Sequence, residues 1–411
     1  MTRRQKRLRT GRTVLPVFTA FSALAGATLV GAAPAGAATA GTQIAPGVVY
    51  KQYDIRGAKG LTHAHVLSVD LTNTHVSLGL LHPGAVAARA AVSTLANNQK
   101  AVAGVNGDFF NITETQHPGV TATGASVGPA IADGRVLKAA VPDGQRFGPE
   151  LPPGTTTEDV VGVGTDGRAR LDSLDFQGSA RTLTRRVPLG GLNQYALPVG
   201  SVGAYTSAWG SVSRVRATCG TDTDRAAACS TDTYEVTVRR GRVVSVSATP
   251  GSGAIARGDT VLVGREAGAD RLRKFVKGQR VWITHGLTAA SKTSYRFALG
   301  GYPVVRGGQP LPGLDGATAA VRTAVGIATG GKRVVLFALD GATAYRSGLT
   351  IAEVAAQMKS LGAVDAFSLD GGGSTTLVAR PSGSAKVTVR NHPSGGAERP
   401  VPNGIGVFYT S

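Results

Sequence analysis

The apolar positions of this chain fall in short runs, most of them spaced for strands. Between residues 43 and 82 apolar and polar residues alternate through Val48-Val49-Tyr50, His63 to Leu71 and Val76 to Leu81, which predicts antiparallel strands. His63 and His65 share one face of the second run; an exposed face is expected, with a pair of ligands as the alternative. Residues 85–99 are Ala-rich, with Val92 and Leu95 on the apolar side of an expected helix that ends at Asn97-Asn98. A buried-type strand from Ala101 to Val105 then runs into Asn106-Gly107-Asp108-Phe109-Phe110. Polar residues at the end of an apolar strand stand at a sheet rim, where sites form. Residues 181–290 are broken into short β pieces around a basic hairpin tip, Arg239-Arg240-Gly241-Arg242. They predict a β-rich inserted subdomain between two parts of one domain, 43–180 and 291–411.

The pattern changes toward the C-terminus. Val334 to Leu339 is a continuous apolar strand ending at Asp340-Gly341. Thr350-Ile351-Ala352-Glu353 is a capping box. Ile351, Val354, Ala355, Met358 and Leu361 follow on one helical face, and Gly362 stands where a C-terminal cap belongs. Ala363 to Leu369 is a second apolar strand, and it ends at Asp370-Gly371. Strand, helix and strand with short links predict a parallel, right-handed βαβ unit. If the two strands pair as neighbours, Asp340 and Asp370 stand side by side, about 4.8 Å apart, at the strand ends where open sheets bind ligands. Two such carboxylates push each other's pKa values apart, which suits acid/base work; alternatively they hold a hard cation, Ca²⁺ or Mg²⁺. The expected fold class is α+β: a mixed β-sheet core, a C-terminal βαβ unit with helices packed on it, and the β-rich insert.

The second of these endings continues as Gly371-Gly372-Gly373-Ser374-Thr375. Successive N–H groups in a glycine turn form an anion-binding nest, and Ser374 and Thr375 add hydroxyl donors. Arg322, at the start of a nearby strand, suits two-pronged recognition of phosphate. His392 lies in a polar loop beside Asn391, before the closing strand, and is a further general-acid candidate.

Charge and composition add the setting. Residues 1–12 carry six basic residues and no acid, residues 13–33 are small and apolar, and Ala35-Gly36-Ala37 fits a small-x-small cleavage site. Residues 1–37 therefore read as a secretory signal peptide, and no later stretch is long and apolar enough for stable membrane insertion. The expected location is secreted, extracellular or envelope-associated. The formal net charge is +19 and stays positive once the leader is removed. For an exported protein this favours an anionic glycan or sugar-phosphate partner. Nucleic acid is not expected, because no aromatic-and-basic stripe is present. Cys219 and Cys229, the two cysteines, predict a local disulfide closing a hairpin.

Taken in order, the motifs resemble the phosphodiester glycosidase family. Asn106-Gly107-Asp108-Phe109-Phe110 resembles its early Asn-x-x-Phe-Phe, Gly300-Gly301-Tyr302-Pro303 its Gly-Gly-x-Pro, and Arg322-Thr323-Ala324-Val325-Gly326 its Arg-Thr-x-x-Gly. Asp340-Gly341, Gly348-Leu349-Thr350, Glu353 and Leu369 to Thr375 follow, and Asn391-x-Pro-Ser and Arg399-Pro-Val-Pro-Asn resemble the closing motif. The chain departs from the pattern at Ala342, where relatives carry Arg, with Arg346 near enough to stand in, and at Ser368, where they carry Asn. The resemblance implies hydrolysis of a sugar-1-phosphodiester, N-acetylglucosamine-1-phosphodiester-like, to free sugar and phosphomonoester. It implies Asp370, Asp340 and Asp108 as catalytic acids. Asn106, Arg322, Thr323, Gly371, Gly372, Gly373, Ser374, Thr375, Asn391 and Arg399 would bind substrate. No cofactor is fixed by the sequence, and a Ca²⁺ or Mg²⁺ ion at Asp340 and Asp370 stays open. Two other readings fit the same residues: a non-catalytic glycan-binding envelope protein, and a metal-dependent phosphodiesterase.

Overall fold

The computed structural model describes residues 41–345 and 347–410. The expected signal peptide, and Arg346, lie outside the described residues. The fold is a β-rich mixed one with few helices. An eight-stranded sheet runs in the order Thr42–Ala45, Val48–Gly57, Gly60–Asp70, Arg333–Leu339, Thr323–Ile327, Asp365–Leu369, Tyr302–Arg306, Gln309–Pro310. Its side chains alternate between faces, as strand geometry requires. Leu67, Leu336, Val325 and Phe367 share a core with Leu80, Val105, Leu377 and Ile405. Those four belong to a five-stranded sheet ordered Thr388–Val389, Leu377–Ala379, Ala103–Asn106, Gly404–Tyr409, Val76–Leu81. The opposite face carries Val66, Phe337, Leu339 and Ala324 and packs against Ile351, Val354, Ala355 and Met358. The helix Ile351–Ser360 thus covers one side of the large sheet and the smaller sheet covers the other.

That helix forms as its sequence directs. The Thr350 side chain accepts from the Glu353 N–H at 3.2 Å, and Glu353 Oε2 accepts from the Thr350 N–H at 2.8 Å. Gly362 adopts φ 88°, the left-handed conformation that ends a helix cheaply with glycine. The other expected helix is shorter than its composition suggests, Val92–Asn98. The backbone of Val86 and Ala87 instead bonds to Ala208 and Trp209, so tertiary pairing overrides the helix propensity of the Ala-rich start.

The strand–helix–strand unit needs a correction. Arg333–Leu339 and Asp365–Leu369 are parallel to each other but not adjacent: Thr323–Ile327 lies between them, antiparallel to both. The reason is local. Thr323–Ile327 and Arg333–Leu339 are joined by a short turn and close as a hairpin, so the chain leaving the second strand must cross over its partner before it can re-enter the sheet. Asp340 and Asp370 therefore stand two strand spacings apart, roughly 10 Å.

A seven-stranded sheet contains Asp159–Gly164, Ala169–Arg181 and Tyr295–Gly300, and a second five-stranded sheet is built from residues 191–265. The expected 181–290 segment holds this last sheet, while its final strand, Trp282–Ala289, pairs along Ala169–Arg181. Cys219 and Cys229 are joined as a disulfide, and it closes a loop without strands rather than a hairpin. His117 lies beside the disulfide. Its ring nitrogens are engaged by Glu114 Oε2 at 2.7 Å and the Ala227 carbonyl at 2.9 Å. No helix among the described residues is long and apolar enough to cross a membrane.

Candidate functional site

The glycine turn after Leu369 is held from below. The Asp370 N–H donates to the Gly107 carbonyl at 2.9 Å, and Asn106 Nδ2 donates to the Asp370 carbonyl at 2.7 Å. The Gly372 N–H donates to the Val321 carbonyl at 2.7 Å. Gly372 has φ 56°, and a Cβ on Gly371 would stand 2.5 Å from the Val321 oxygen; this path admits glycine alone at those two positions. The nest expected here is partly filled, since the Gly372, Ser374 and Thr375 N–H groups all donate to main-chain carbonyls.

These bonds bring Asp370 to Asp108, the acid two residues beyond Asn106. Asp108 is 1% exposed. Its Oδ2 accepts from the Gly128 N–H at 2.7 Å, and its own N–H donates to Asn403 Oδ1 at 2.9 Å. Its Oδ1 is buried without a hydrogen-bond partner. Gly300 shapes the slot, because a Cβ there would stand 2.7 Å from the carboxylate. Burial pushes the Asp108 carboxyl well above the usual carboxylate range. Lys138, Gly128 and Arg146 oppose that shift, and the charge of Asp370 adds to it. Lys138 is itself buried and pushed down by burial, and it donates to the carbonyls of Val127, at 3.1 Å, Ala139, at 2.6 Å, and Gly128. Burial raises Asp370 to about 6, against the Ser374 hydroxyl, the Arg399 charge, the Gly371 N–H and the Arg146 charge. Residues 370–373 keep part of their surface open to solvent.

Arg146 faces both acids. Its guanidinium lies 5.2 Å from the Phe109 ring centre and 5.7 Å from that of Tyr302. It is 9% exposed, and its Nε is buried without a hydrogen-bond partner. Arg146 is thus a buried cation with one unpartnered donor, near enough to Asp108 and Asp370 for its charge to oppose the upward shift of both.

Asp340 is a different case. His65 Nε2 lies 3.1 Å from its Oδ1, the His392 N–H donates to the same oxygen at 2.5 Å, and His392 Nδ1 lies 3.0 Å from Oδ2. Burial alone would raise this carboxyl; the two histidines hold it down at about 2. His65, expected on an exposed face, is 1% exposed. Its Nδ1 lies 2.7 Å from the Tyr50 hydroxyl, whose pKa burial pushes up to about 12. With donors on both oxygens, and Thr323–Ile327 between the two strands, Asp340 and Asp370 do not fit a shared cation seat.

The remaining expected site residues mostly tie strand ends together. Thr323 Oγ1 donates to Asn106 Oδ1 at 2.8 Å and lies 3.2 Å from Thr375 Oγ1. The Thr376 N–H also donates to Asn106 Oδ1, at 3.0 Å. Asn391 Nδ2 donates to the Leu339 and Thr375 carbonyls at 3.3 and 3.0 Å. Arg322 donates from Nε to the Leu349 carbonyl at 3.0 Å and from Nη2 to the Thr318 carbonyl at 2.7 Å. Arg399 donates to Ser374 Oγ at 3.3 Å and packs over Gly373. Ser394 Oγ reaches the Gly372 carbonyl at 3.4 Å, and the Gly341 N–H donates to the His392 carbonyl at 2.7 Å, so one loop fastens both Asp-Gly endings.

Sequence reading missed Arg146, Lys138 and the burial of His65. Lys138 carried a signal, a lysine closing the short strand Arg135–Lys138. Arg146 carried none, standing just past the short 3₁₀ turn Asp143–Gln145.

Residues 232–408 match the family model described as phosphodiester glycosidase. None of the curated proteins matches the chain. Among solved structures, a protein of Synechocystis is 18% identical with a TM-score of 0.68, over 89% of this chain and 62% of the other, so the chain spans less than two thirds of that protein. A protein of Burkholderia pseudomallei K96243, described as a candidate exported protein, is 24% identical with a TM-score of 0.63, over 86% and 75% of the two chains. Both share the fold. The zebrafish N-acetylglucosamine-1-phosphodiester α-N-acetylglucosaminidase catalytic domain, auto-inhibited by its pro-peptide, is 16% identical over 91% and 87%, with a TM-score of 0.45. The chain's similarity to the phosphodiester glycosidase family thus lies in its segment 232–408.

Proposed function

We propose that the protein hydrolyses a sugar-1-phosphodiester of the N-acetylglucosamine-1-phosphodiester type, releasing free sugar and a phosphomonoester. One observation carries this reading. Asp108 and Asp370 are brought together by the bond from the Asp370 N–H to the Gly107 carbonyl, and both face the Arg146 guanidinium. The bond between the anomeric carbon and the bridging phosphate oxygen breaks, and its electron pair leaves with the phosphate. Water forms the new bond to that carbon and gives up its proton to a carboxylate. Asp370, with a pKa near 6 and access to solvent, suits that base role at neutral pH. Arg146 takes the charge that develops on the leaving phosphate. Asp108, held toward its neutral form by burial, donates a hydrogen bond to the sugar or the leaving oxygen. Asp340, ionised and bound by histidines, orders the loop that carries His392 and Ser394.

The leader-like residues 1–37 and the disulfide support an exported protein. Its positive charge supports an anionic envelope or exopolysaccharide substrate. The test is a product assay with a uridine-diphosphate sugar. Free reducing sugar together with uridine diphosphate is expected. Phosphate-bond cleavage without free sugar, abolished by a chelator, would move the reading to a phosphodiesterase. Binding of glycans with no turnover would move it to a binding protein.

A further inference from the structure

The loop closed by Cys219–Cys229 contains no strand or helix between its cysteines, yet it grips the segment that carries Arg146. The Gly144 N–H donates to the Asp222 carbonyl at 3.0 Å. Gln145 Nε2 donates to the Thr221 carbonyl at 2.5 Å. Arg225 Nη1 donates to the carbonyl of Arg146 itself at 2.6 Å, and its guanidinium lies 4.2 Å from the Phe147 ring centre. Arg216, fully buried, joins the two pieces from behind: Nη2 donates to Gln145 Oε1 at 3.0 Å and Nη1 to the Cys219 carbonyl at 3.1 Å. Four consecutive residues, 144 to 147, are thus fastened to one cross-linked loop. Arg146 itself stands just past the single 3₁₀ turn Asp143–Gln145, held there by its own N–H to the Asp143 carbonyl at 3.3 Å.

We propose that the 219–229 loop, kept in shape by its disulfide, positions the Arg146 guanidinium and so sets the affinity of the site for a phosphate group, with Arg225 as the positioning residue. This rests on the reading of Arg146 as the phosphate-holding cation. A cross-link acts by removing alternative conformations of the loop it closes. Without it, the carbonyls of Thr221 and Asp222 and the Arg225 side chain no longer meet residues 144–147 in one arrangement. A guanidinium displaced by an ångström binds and orients its anion less well.

Titration of the full chain with inorganic phosphate tests the proposal, beside steady-state kinetics on the uridine-diphosphate sugar and a thermal melt to verify folding. Arg225→Ala is expected to weaken phosphate binding about fivefold, the loss of roughly one hydrogen bond. It should raise KM with little change in kcat, and Arg225→Lys should recover part of the loss. The double variant Cys219→Ser with Cys229→Ser is expected to move phosphate affinity in the same direction. Unchanged phosphate affinity in folded Arg225→Ala would overturn the proposal even if the cysteine variant does not fold. So would unchanged affinity in Arg146→Gln. Weakened phosphate binding in these variants, with no turnover of any sugar phosphodiester by the parent protein, would sink the glycosidase reading and leave the clamp standing.

Discussion

Two strands of the large sheet end in the same three residues, Leu-Asp-Gly, and the two acids have opposite chemistry. At Leu339-Asp340-Gly341 the carboxylate is surrounded by donors from His65 and His392 and stays ionised down to about 2. At Leu369-Asp370-Gly371 burial outweighs Ser374, Arg399 and Arg146, and the carboxyl titrates near 6. The tripeptide fixes where the acid stands, at the rim of a buried strand. What the rest of the chain presents to it fixes its protonation. On the function proposed above, the first acid holds structure and the second exchanges a proton.

The sharpest way to break this contrast is to remove each charge in turn. Asp370→Asn is expected to lower kcat/KM by about a hundredfold or more, with a melting temperature within about 2 °C of the parent. Asp340→Ala is expected to cost about 3 kcal/mol or more, because it strips a buried carboxylate from two histidines, and a denaturant titration reads this directly. If Asp340→Ala melts like the parent while Asp370→Asn unfolds, the two roles are reversed.

Acid titration sharpens the contrast further. Asp340 has a folded pKa below its unfolded value, so its stabilisation is present above about 4 and is lost as the pH falls toward 2. Asp370 has a raised folded pKa. It favours the folded state while protonated and loses that contribution as the pH rises from about 4 through 6, the range in which activity should appear. Stability curves of Asp340→Ala and Asp370→Asn should each lack one of these slopes. A smaller effect is expected at Tyr50→Phe, which removes the hydroxyl beside His65 Nδ1 and should cost about 1 kcal/mol. Loss of activity in that variant without loss of stability would give the Asp340 side a part in the chemistry.

Much of the C-terminal region was legible because its determinants are local. The capping box, the helix face and the two strand ends depend on residues a few positions apart. The neighbour relation of the strands was not, because a short turn between Thr323–Ile327 and Arg333–Leu339 decides it in favour of a hairpin. Asp108 was readable as a rim residue, but its approach to Asp370 depends on a bond between residues 107 and 370. Arg146 was unreadable for the same reason, since its position comes from a loop some 80 residues further on.

Asn106 has a consequence for how the molecule breathes. Its one amide side chain bonds Asp370, Thr323 and Thr376, which belong to the ends of three separate chain segments in two sheets. No one of those segments can fray without breaking a hydrogen bond of this buried amide. The Asp370 and Thr376 N–H groups should therefore exchange with solvent deuterium only when the whole domain opens, as slowly as the centre of the sheet. A site at a sheet rim would then carry the kinetic protection of a core.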